Sequence, residues 1–255
     1  MTGCSIHSRN YLKGEQFTDV PRESPTKKGN LTELSKIPAS GFTKLVSGSA
    51  SPNGRFAVGV GILDGKIPEW EALDRGDGDR SFVLKFDNHS DAVNYLIDVP
   101  SDRVVGVLAG DHFGTSTWYN HRLYQISWSE DNHWLLEVDT GKWETFACMV
   151  YRLDADGNQI AQMNFMPLTE AIISKFLRSR YPQLAQDEIA RYVVTIEENA
   201  RIIKEGKLTF KLSAQVPKEE YPSVQLDVSA QVERLKNGKL SVKVTNVEEI
   251  KNDDI

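Results

Sequence analysis

The chain has 255 residues, a formal net charge of −6 and a pI of about 5.5, and 26% of its residues are charged. A phosphate-binding surface needs clustered Lys and Arg, and no such cluster stands out, so nucleic acid is not an expected partner. No stretch reaches the roughly 20 apolar residues of a membrane-spanning helix. A membrane association would therefore need a lipid anchor.

The first residues of the chain supply a candidate for that anchor. Gly3, Cys4 and Ser5 match the end of a bacterial lipoprotein signal, in which the cysteine sulfur receives a diacylglyceryl group. The segment from residue 1 to 40 is polar and contains several prolines, which is typical of a flexible tether. We expect a lipoprotein on the periplasmic face of the outer membrane, or otherwise extracytoplasmic. The protein is cytoplasmic if Met1 is the true start.

Residues 41–165 show short apolar runs separated by turn signals, which predicts a β-rich domain built on an antiparallel sheet or a partial propeller. The predicted strands are residues 55–60, 82–86, 93–99, 104–108, 123–128, 134–138 and 145–153. The last run is apolar on both faces, as in a central strand that is covered on both sides. It contains Cys148, which we expect to be a small buried hydrophobe. The turn that follows at residues 154–158 has hairpin residues and lacks the further ligands of a calcium loop.

Residues 166–255 predict two helices followed by a three-stranded antiparallel sheet, a unit that stands apart or packs on the first domain. The first helix begins at Pro167 and ends before Pro182. The second has apolar residues at three- and four-residue steps from Asp187 to Ile203. Apolar and polar residues then alternate along residues 208–216, 224–232 and 240–244. Asn237-Gly238 predicts a type I′ turn between the last two strands. The fold class is therefore α+β and β-rich.

Two short patterns resemble known families. Ser51-Pro52-Asn53-Gly54-Arg55 with the apolar run behind it resembles the turn-strand signature of TolB-type and WD40-like propeller blades; residues 127–136 and 100–105 resemble it again. The copies lie 49 residues apart (51 to 100) and 29 apart (100 to 129), whereas blades recur at about 40–45 residues, so the resemblance implies a partial propeller. Residues 119–143 are similar to a group of uncharacterised exported bacterial proteins, which implies an envelope location and no activity.

Candidate chemistry is concentrated between Asp111 and Trp143, where three histidines and four of the five tryptophans lie. The nine-residue separation of His112 and His121 matches no standard metal-ligand spacing, so neither a metal nor a cofactor is expected. No nucleophile elbow surrounds Ser116, so no catalytic residue is assigned. A loop with exposed aromatic rings is better suited to binding. The candidate binding residues are Trp118, Tyr119, His121, Asp111 and His112.

These observations leave two hypotheses about function. The leading one is a non-enzymatic cell-envelope protein that binds a protein or glycan partner. The alternative is a hydrolase or metal-dependent enzyme that uses the Asp111–His133 region. The enzyme would need two or more polar side chains of that region to converge in a concave pocket.

Mass spectrometry of Cys4 tests the predicted compartment. We expect the mature chain to begin at an acylated Cys4 and to fractionate with membranes, because several acyl chains hold a protein to a bilayer far more firmly than one. The Cys4→Ser variant should lose both properties. An unmodified Cys4 in the soluble fraction would contradict the prediction.

Overall fold

The computed structural model describes residues 16–18, 35–62, 92–112, 118–119, 122–142, 144–216 and 221–250. The first strand, β1 (Gln16–Thr18), lies within the segment predicted as a tether and pairs with a strand near the end of the described chain. Cys4, His121 and the predicted strand at residues 82–86 lie outside the described residues.

A four-stranded antiparallel sheet follows, with its strands in chain order. It comprises β2 (Thr43–Leu45), β3 (Phe56–Ile62), β4 (Ala92–Asp98) and β5 (Arg103–Val107). The bounds of the last three lie within two residues of those predicted. Residues 92–97 of β4 are all buried, because the sheet is covered on both faces.

The next five strands form a second antiparallel sheet, again in chain order. They are β6 (Trp118–Tyr119), β7 (Arg122–Trp128), β8 (Trp134–Thr140), β9 (Thr145–Leu153) and β10 (Gln159–Asn164). The bounds of β9 are those predicted, and Cys148 is buried as expected. The turn after β9 is a hairpin in which Asp154 Oδ1 accepts hydrogen bonds from the backbone of Asp156 and Asn158.

Two turns at equivalent places in these sheets have the same hydrogen-bond pattern. In the turn before β3, Phe56 N donates to Ser51 Oγ (2.9 Å), and Ser51 Oγ donates to Asn53. In the turn before β8, Trp134 N donates to Ser129 Oγ (2.9 Å), and Ser129 Oγ donates to Asp131. The turns also touch, since Asn53 N donates to Asn132 Oδ1. The Ser-x-Asn/Asp pattern therefore specifies one local structure at both positions.

The chain then becomes helical, but only in part as predicted. Helix α1 (Met166–Arg180) has Pro167 in its first turn and ends at Tyr181, which confirms the first predicted helix. Helix α2 (Gln186–Ile189) is one turn long. The predicted helix to Ile203 is wrong, because its remainder forms β11 (Val193–Ile196) and β12 (Arg201–Ile202). No helix in the described ranges is long and apolar enough to cross a membrane.

The physical reason for this error lies in residues 193–196. Three of these four residues are valine or isoleucine and the other is threonine, so all four are β-branched and favour extended backbone. Their helix-like spacing is overridden because β11 finds a pairing partner in a later strand, with Val193 opposite Gln215 and Ile196 opposite Leu212.

The last three strands carry the alternation that the sequence predicts. They are β13 (Lys207–Gln215), β14 (Val224–Arg234) and β15 (Leu240–Glu249). Every apolar position of the predicted pattern is buried; Lys211 and Lys243 are exposed, and Gln225 is half-buried. The sheet is larger than predicted, since β11 and β12 pair with β13 and β1 pairs with β15. The turn at Asn237-Gly238 is not type I′, because only Gly238 has a positive φ (+86°).

The five-stranded sheet is the middle layer of the molecule, and β8 shows this residue by residue. Trp134, Leu136 and Val138 belong to one core with α1 and the six-stranded sheet, which we call the C-terminal core. Leu135 on the opposite face belongs with β9 and the four-stranded sheet to a second core, which we call the inter-sheet core. All seven residues of β8 are therefore buried.

Truncation of Phe210 tests the C-terminal core. Its ring contacts Phe165 edge-to-face, with centroids 5.2 Å apart, and the residue is buried. We expect Phe210→Ala to lower the free energy of unfolding by about 3–5 kcal/mol. The exposed neighbour Lys211→Ala should change it by less than about 0.5 kcal/mol. Urea denaturation measures both, and equal effects would rule out the register that buries Phe210 and exposes Lys211.

Candidate functional site

A buried carboxylate lies between the four- and five-stranded sheets. Glu137, near the middle of β8, is fully buried. Its Oε1 accepts hydrogen bonds from Tyr124 Oη (2.6 Å) and Gly110 N (3.0 Å). Its Oε2 accepts hydrogen bonds from Tyr151 Oη (2.7 Å) and Ala109 N (3.1 Å). The side chain thus joins β7, β8 and β9 to the backbone that leaves β5.

Burial sets the ionisation of this cluster. It raises the pKa of Glu137 above its ordinary value, and the hydrogen bonds from the tyrosines and the backbone oppose that shift. Burial and the nearby Glu137 raise the pKa of Tyr124 and Tyr151 well above the ordinary range. Both hydroxyls therefore stay protonated and act as donors. The arrangement holds residues 109 and 110 in place.

Two residues further along β8, a second buried carboxylate pairs with an arginine. Asp139 is fully buried, and its Oδ1 accepts a hydrogen bond from Arg122 Nε (3.1 Å) while its Oδ2 pairs with Arg122 Nη2. The same Nη2 lies 2.5 Å from Asp111 Oδ1. One guanidinium therefore bridges two carboxylates where β7 begins and β8 ends.

Burial and the neighbouring charges act in opposite directions on the pKa values of Asp139 and Arg122, and the balance differs between the two groups. Burial raises the pKa of Asp139 to about 7, although attraction to Arg122 lowers it. For Arg122, burial lowers the pKa, but attraction to Asp139 and contacts with Asp111 outweigh it, so the net shift is upward. Arg122 is thus always a cation, whereas Asp139 changes charge near neutral pH.

Of the predicted binding residues, His112 has a packing role in the described structure. It is fully buried, and its ring lies parallel to that of Tyr124, with centroids 4.6 Å apart. Its backbone N donates to Asn94 Oδ1 and its carbonyl accepts from Asn94 Nδ2, both at 2.9 Å. Asp111 pairs with Arg122. Both residues therefore pack against β7, His112 through Tyr124 and Asp111 through Arg122.

The other predicted residues are placed only in part. Trp118 and Tyr119 form β6, where the sequence predicts a loop, and pair with Leu123 and Arg122. Nothing is described of their side chains or of His121. His133 precedes β8, six residues before Asp139, so roughly 20 Å of strand separates it from the Arg122 bridge. In the described ranges, no group of three or more His, Cys, Asp or Glu can hold a metal ion.

A cleft of about 770 Å³ lies at the boundary of the five- and six-stranded sheets. Residues from β9, α1, α2 and β11 form most of its walls, together with Ala109, Glu144 and Asn164, and neither Asp111 nor His112 is among the described lining residues. Its apolar lining includes Phe146, Met166, Ile173, Ile189 and Val194; its charged lining residues are Glu144 and Glu170. Pockets of this size accommodate a small ligand or a few residues of extended chain.

Two strand edges face this cleft without a neighbouring strand among the described residues. The pairing of β10 with β9 begins at Met149, so residues 145–147 of β9 pair only with β8. The backbone of Ile196 in β11 forms hydrogen bonds with the side chains of Thr140 and Thr145, on the side of β11 that faces away from β13. Backbone groups alternate along a strand, so the N–H and C=O of Val194 point to that same side. The cleft thus presents main-chain donors and acceptors.

An exposed aromatic ring stands at the mouth of the cleft. Phe146 is 54% exposed and is the extra residue in a β-bulge, because Asp139 pairs with Ala147 and Thr140 with Thr145. The Arg122 guanidinium lies over its ring, 4.8 Å from the centroid, and Gly141 lies on the ring edge. A Cβ at Gly141 would be 2.4 Å from Phe146 Cε2, so only glycine leaves room for this ring position. Asp111 and Asp139 thereby position Phe146 through Arg122.

The residues that the sequence analysis missed are Glu137, Asp139, Arg122 and Phe146. The two carboxylates carry a readable signal, because they occupy alternate positions in the apolar run of residues 134–140. Acidic residues inside a strand that is covered on both faces must be hydrogen-bonded or paired. No local pattern indicates that Phe146 is exposed, since this depends on a bulge set by cross-strand pairing.

The chain matches no protein-family profile, and neither a curated protein nor a solved structure is significantly similar to it.

The pH dependence of stability tests the ionisation of Asp139. Its pKa is 3.8 in ordinary surroundings and about 7 in the fold, so the folded chain holds the proton more tightly. The free energy of unfolding should therefore fall as the pH rises from about 4 to 7. The Asp139→Asn variant should show a smaller change of the free energy of unfolding with pH. The Glu137→Gln variant should show a partial reduction.

Urea denaturation at four pH values between about 4.5 and 7.5 measures this slope. The exposed Asp227→Asn provides the matched control and should keep the wild-type slope. An unchanged slope in Asp139→Asn would mean that Asp139 is ionised throughout and that its pairing with Arg122 outweighs burial.

Proposed function

We propose that this chain is a non-enzymatic protein of the cell envelope that binds a protein or glycan partner in the cleft. The observation that carries the proposal is the cleft itself, which combines apolar walls, open strand edges and the exposed ring of Phe146. Apolar pockets with a few fixed polar groups are the usual form of a binding site. The Arg122 guanidinium lies over the Phe146 ring and favours this ring position, which reduces the entropy lost on binding.

The described contacts favour binding over the enzyme alternative. An enzyme in the Asp111–His133 region needs polar side chains that converge on a substrate, and here Asp111 contacts Arg122 while His112 is buried against Tyr124. His133 lies toward the other end of β8. The buried acids join elements of the fold to each other, and Glu137 and Asp139 are not among the described lining residues of the cleft, although Ala109, which donates to Glu137, is one of them.

Two parts of the proposal rest on sequence patterns. The envelope location rests on the residues around Cys4 and on the similarity of residues 119–143 to exported bacterial proteins. A partial propeller is supported by two consecutive antiparallel sheets, each with the Ser-x-Asn/Asp turn before an inner strand. In this proposal the two sheets are blade-like units, and the C-terminal helices and strands add the wall that completes the cleft.

Filling the cleft tests the binding function. Ala190 is exposed, lines the cleft and follows α2, so Ala190→Trp places a large ring in the cleft without displacing a core side chain. Wild-type protein should select ligands from a random-peptide display library or an array of defined glycans. Ala190→Trp should weaken the binding of those ligands by about tenfold or more.

Ala155→Trp is the matched control, because Ala155 is exposed in the turn between β9 and β10 and does not line the cleft. It should bind as wild type does, with an unchanged urea midpoint. Selection of no ligand, or equal binding by Ala190→Trp and wild type, would refute the cleft as a binding site.

A further inference from the structure

We infer that the ligand of this cleft is a short extended peptide carrying lysine or arginine, which adds as a strand beside β11. The inference rests on the proposed binding function and names its partner class. It follows from three features of the cleft: the main-chain groups at the edge of β11, the sign of the lining charge and the apolar lining.

The first feature is the edge of β11. On the side of β11 that faces away from β13, the backbone groups of Ile196 already have hydrogen-bond partners. Ile196 N donates to Thr145 Oγ1 (2.9 Å), and Ile196 O accepts from Thr140 Oγ1 (3.2 Å). Two threonine side chains therefore occupy the place of a neighbouring strand there. At Val194 the same edge continues into the cleft, where the backbone of a peptide can take that place.

The second feature is charge. Among the described residues that line the cleft, the charged ones are Glu144 and Glu170, and neither Lys nor Arg is present. Both glutamates are exposed and lie on walls of the cleft, Glu144 directly before β9 and Glu170 in α1. An extended peptide with basic side chains complements these walls, whereas an acidic peptide is repelled. The net charge of −6 acts in the same direction at long range.

The third feature is the alternation of an extended peptide. Successive side chains point to opposite sides, so an extended peptide of alternating basic and apolar residues carries cationic groups for the glutamates and apolar groups for the apolar lining. That lining includes Ile173 from α1 and Ile189 from α2. A glycan has hydroxyl groups in place of these apolar and cationic side chains, so the peptide is the better complement.

Three hexapeptides test the inference against the wild-type protein, with binding measured by fluorescence anisotropy. They are alternating Lys-Val, alternating Glu-Val, and the Lys-Val peptide with every backbone amide nitrogen methylated. The Lys-Val peptide should bind at least about tenfold more tightly than each of the others. The Glu-Val peptide has the opposite charge, and the methylated peptide lacks main-chain hydrogen-bond donors. Bound peptide should also slow amide hydrogen exchange at Val194.

A charge-reversal variant gives the second arm. Glu144→Lys with Glu170→Lys should reverse the preference between the Lys-Val and Glu-Val peptides. The matched control is Glu130→Lys with Glu233→Lys, at exposed positions outside the cleft lining, which should keep the wild-type preference. Binding that ignores peptide charge overturns the inference, as does equal binding of the methylated peptide.

The outcome separates this inference from the proposed function. If none of the hexapeptides binds but a selected ligand is still lost in Ala190→Trp, the cleft is a binding site and the peptide class is wrong. A ligand found only on the glycan array has the same meaning. If Ala190→Trp also has no effect on any ligand, both the binding function and the inference fail.

Discussion

The arrangement of the two β-sheet layers depends on the hydrogen bonds that satisfy Glu137. An ionised or neutral carboxyl group in a dry core costs several kcal/mol unless its oxygens have partners, by the general balance of burial and hydrogen bonding. Here the partners come from Tyr124, Tyr151 and the backbone of residues 109 and 110. The link that leaves the four-stranded sheet must therefore pass directly over β8. That constraint fixes how the two sheets face each other, in addition to the apolar contacts between them.

The same face of β8 connects this core to the surface. Asp139 lies two residues beyond Glu137 on the same side, and its partner Arg122 reaches outward to Asp111 and to the ring of Phe146. An arginine that is fixed by two carboxylates cannot reorient freely, so the ring beneath it is held as well. Protonation of Asp139 would weaken one of these attachments. The mouth of the cleft is thus linked, through Arg122, to a carboxyl group whose pKa burial raises to about 7.

The sequence predicts the structural features that depend on a local pattern of residues. It does not predict those that depend on pairing between segments far apart in the chain. The alternation in β13, β14 and β15 and the bounds of β9 could be predicted, because burial on one or both faces leaves a period in the sequence. The helix predicted for residues 187–203 forms only at its start and gives way to strands, because β13 offers an edge that the local spacing does not reveal. The cleft could not be predicted, since its walls come from segments up to 85 residues apart, from Ala109 to Val194. Glu137 and Asp139 were visible as acids in an apolar run, but their partners were not.

The position of the cleft follows from the way the chain changes from strand to helix. At Phe165 the backbone N still donates to Cys148 O, as a continuing strand would. Asn164 Oδ1 then accepts from Met166 N, and Pro167 in the first turn commits the chain to α1. Because the helix leaves the plane of the sheet there, the first residues of β9 keep one side without a strand neighbour in the described structure. A β10 longer by three residues would pair with that edge and close this side of the cleft. The strand-to-helix switch is therefore what makes room for a ligand.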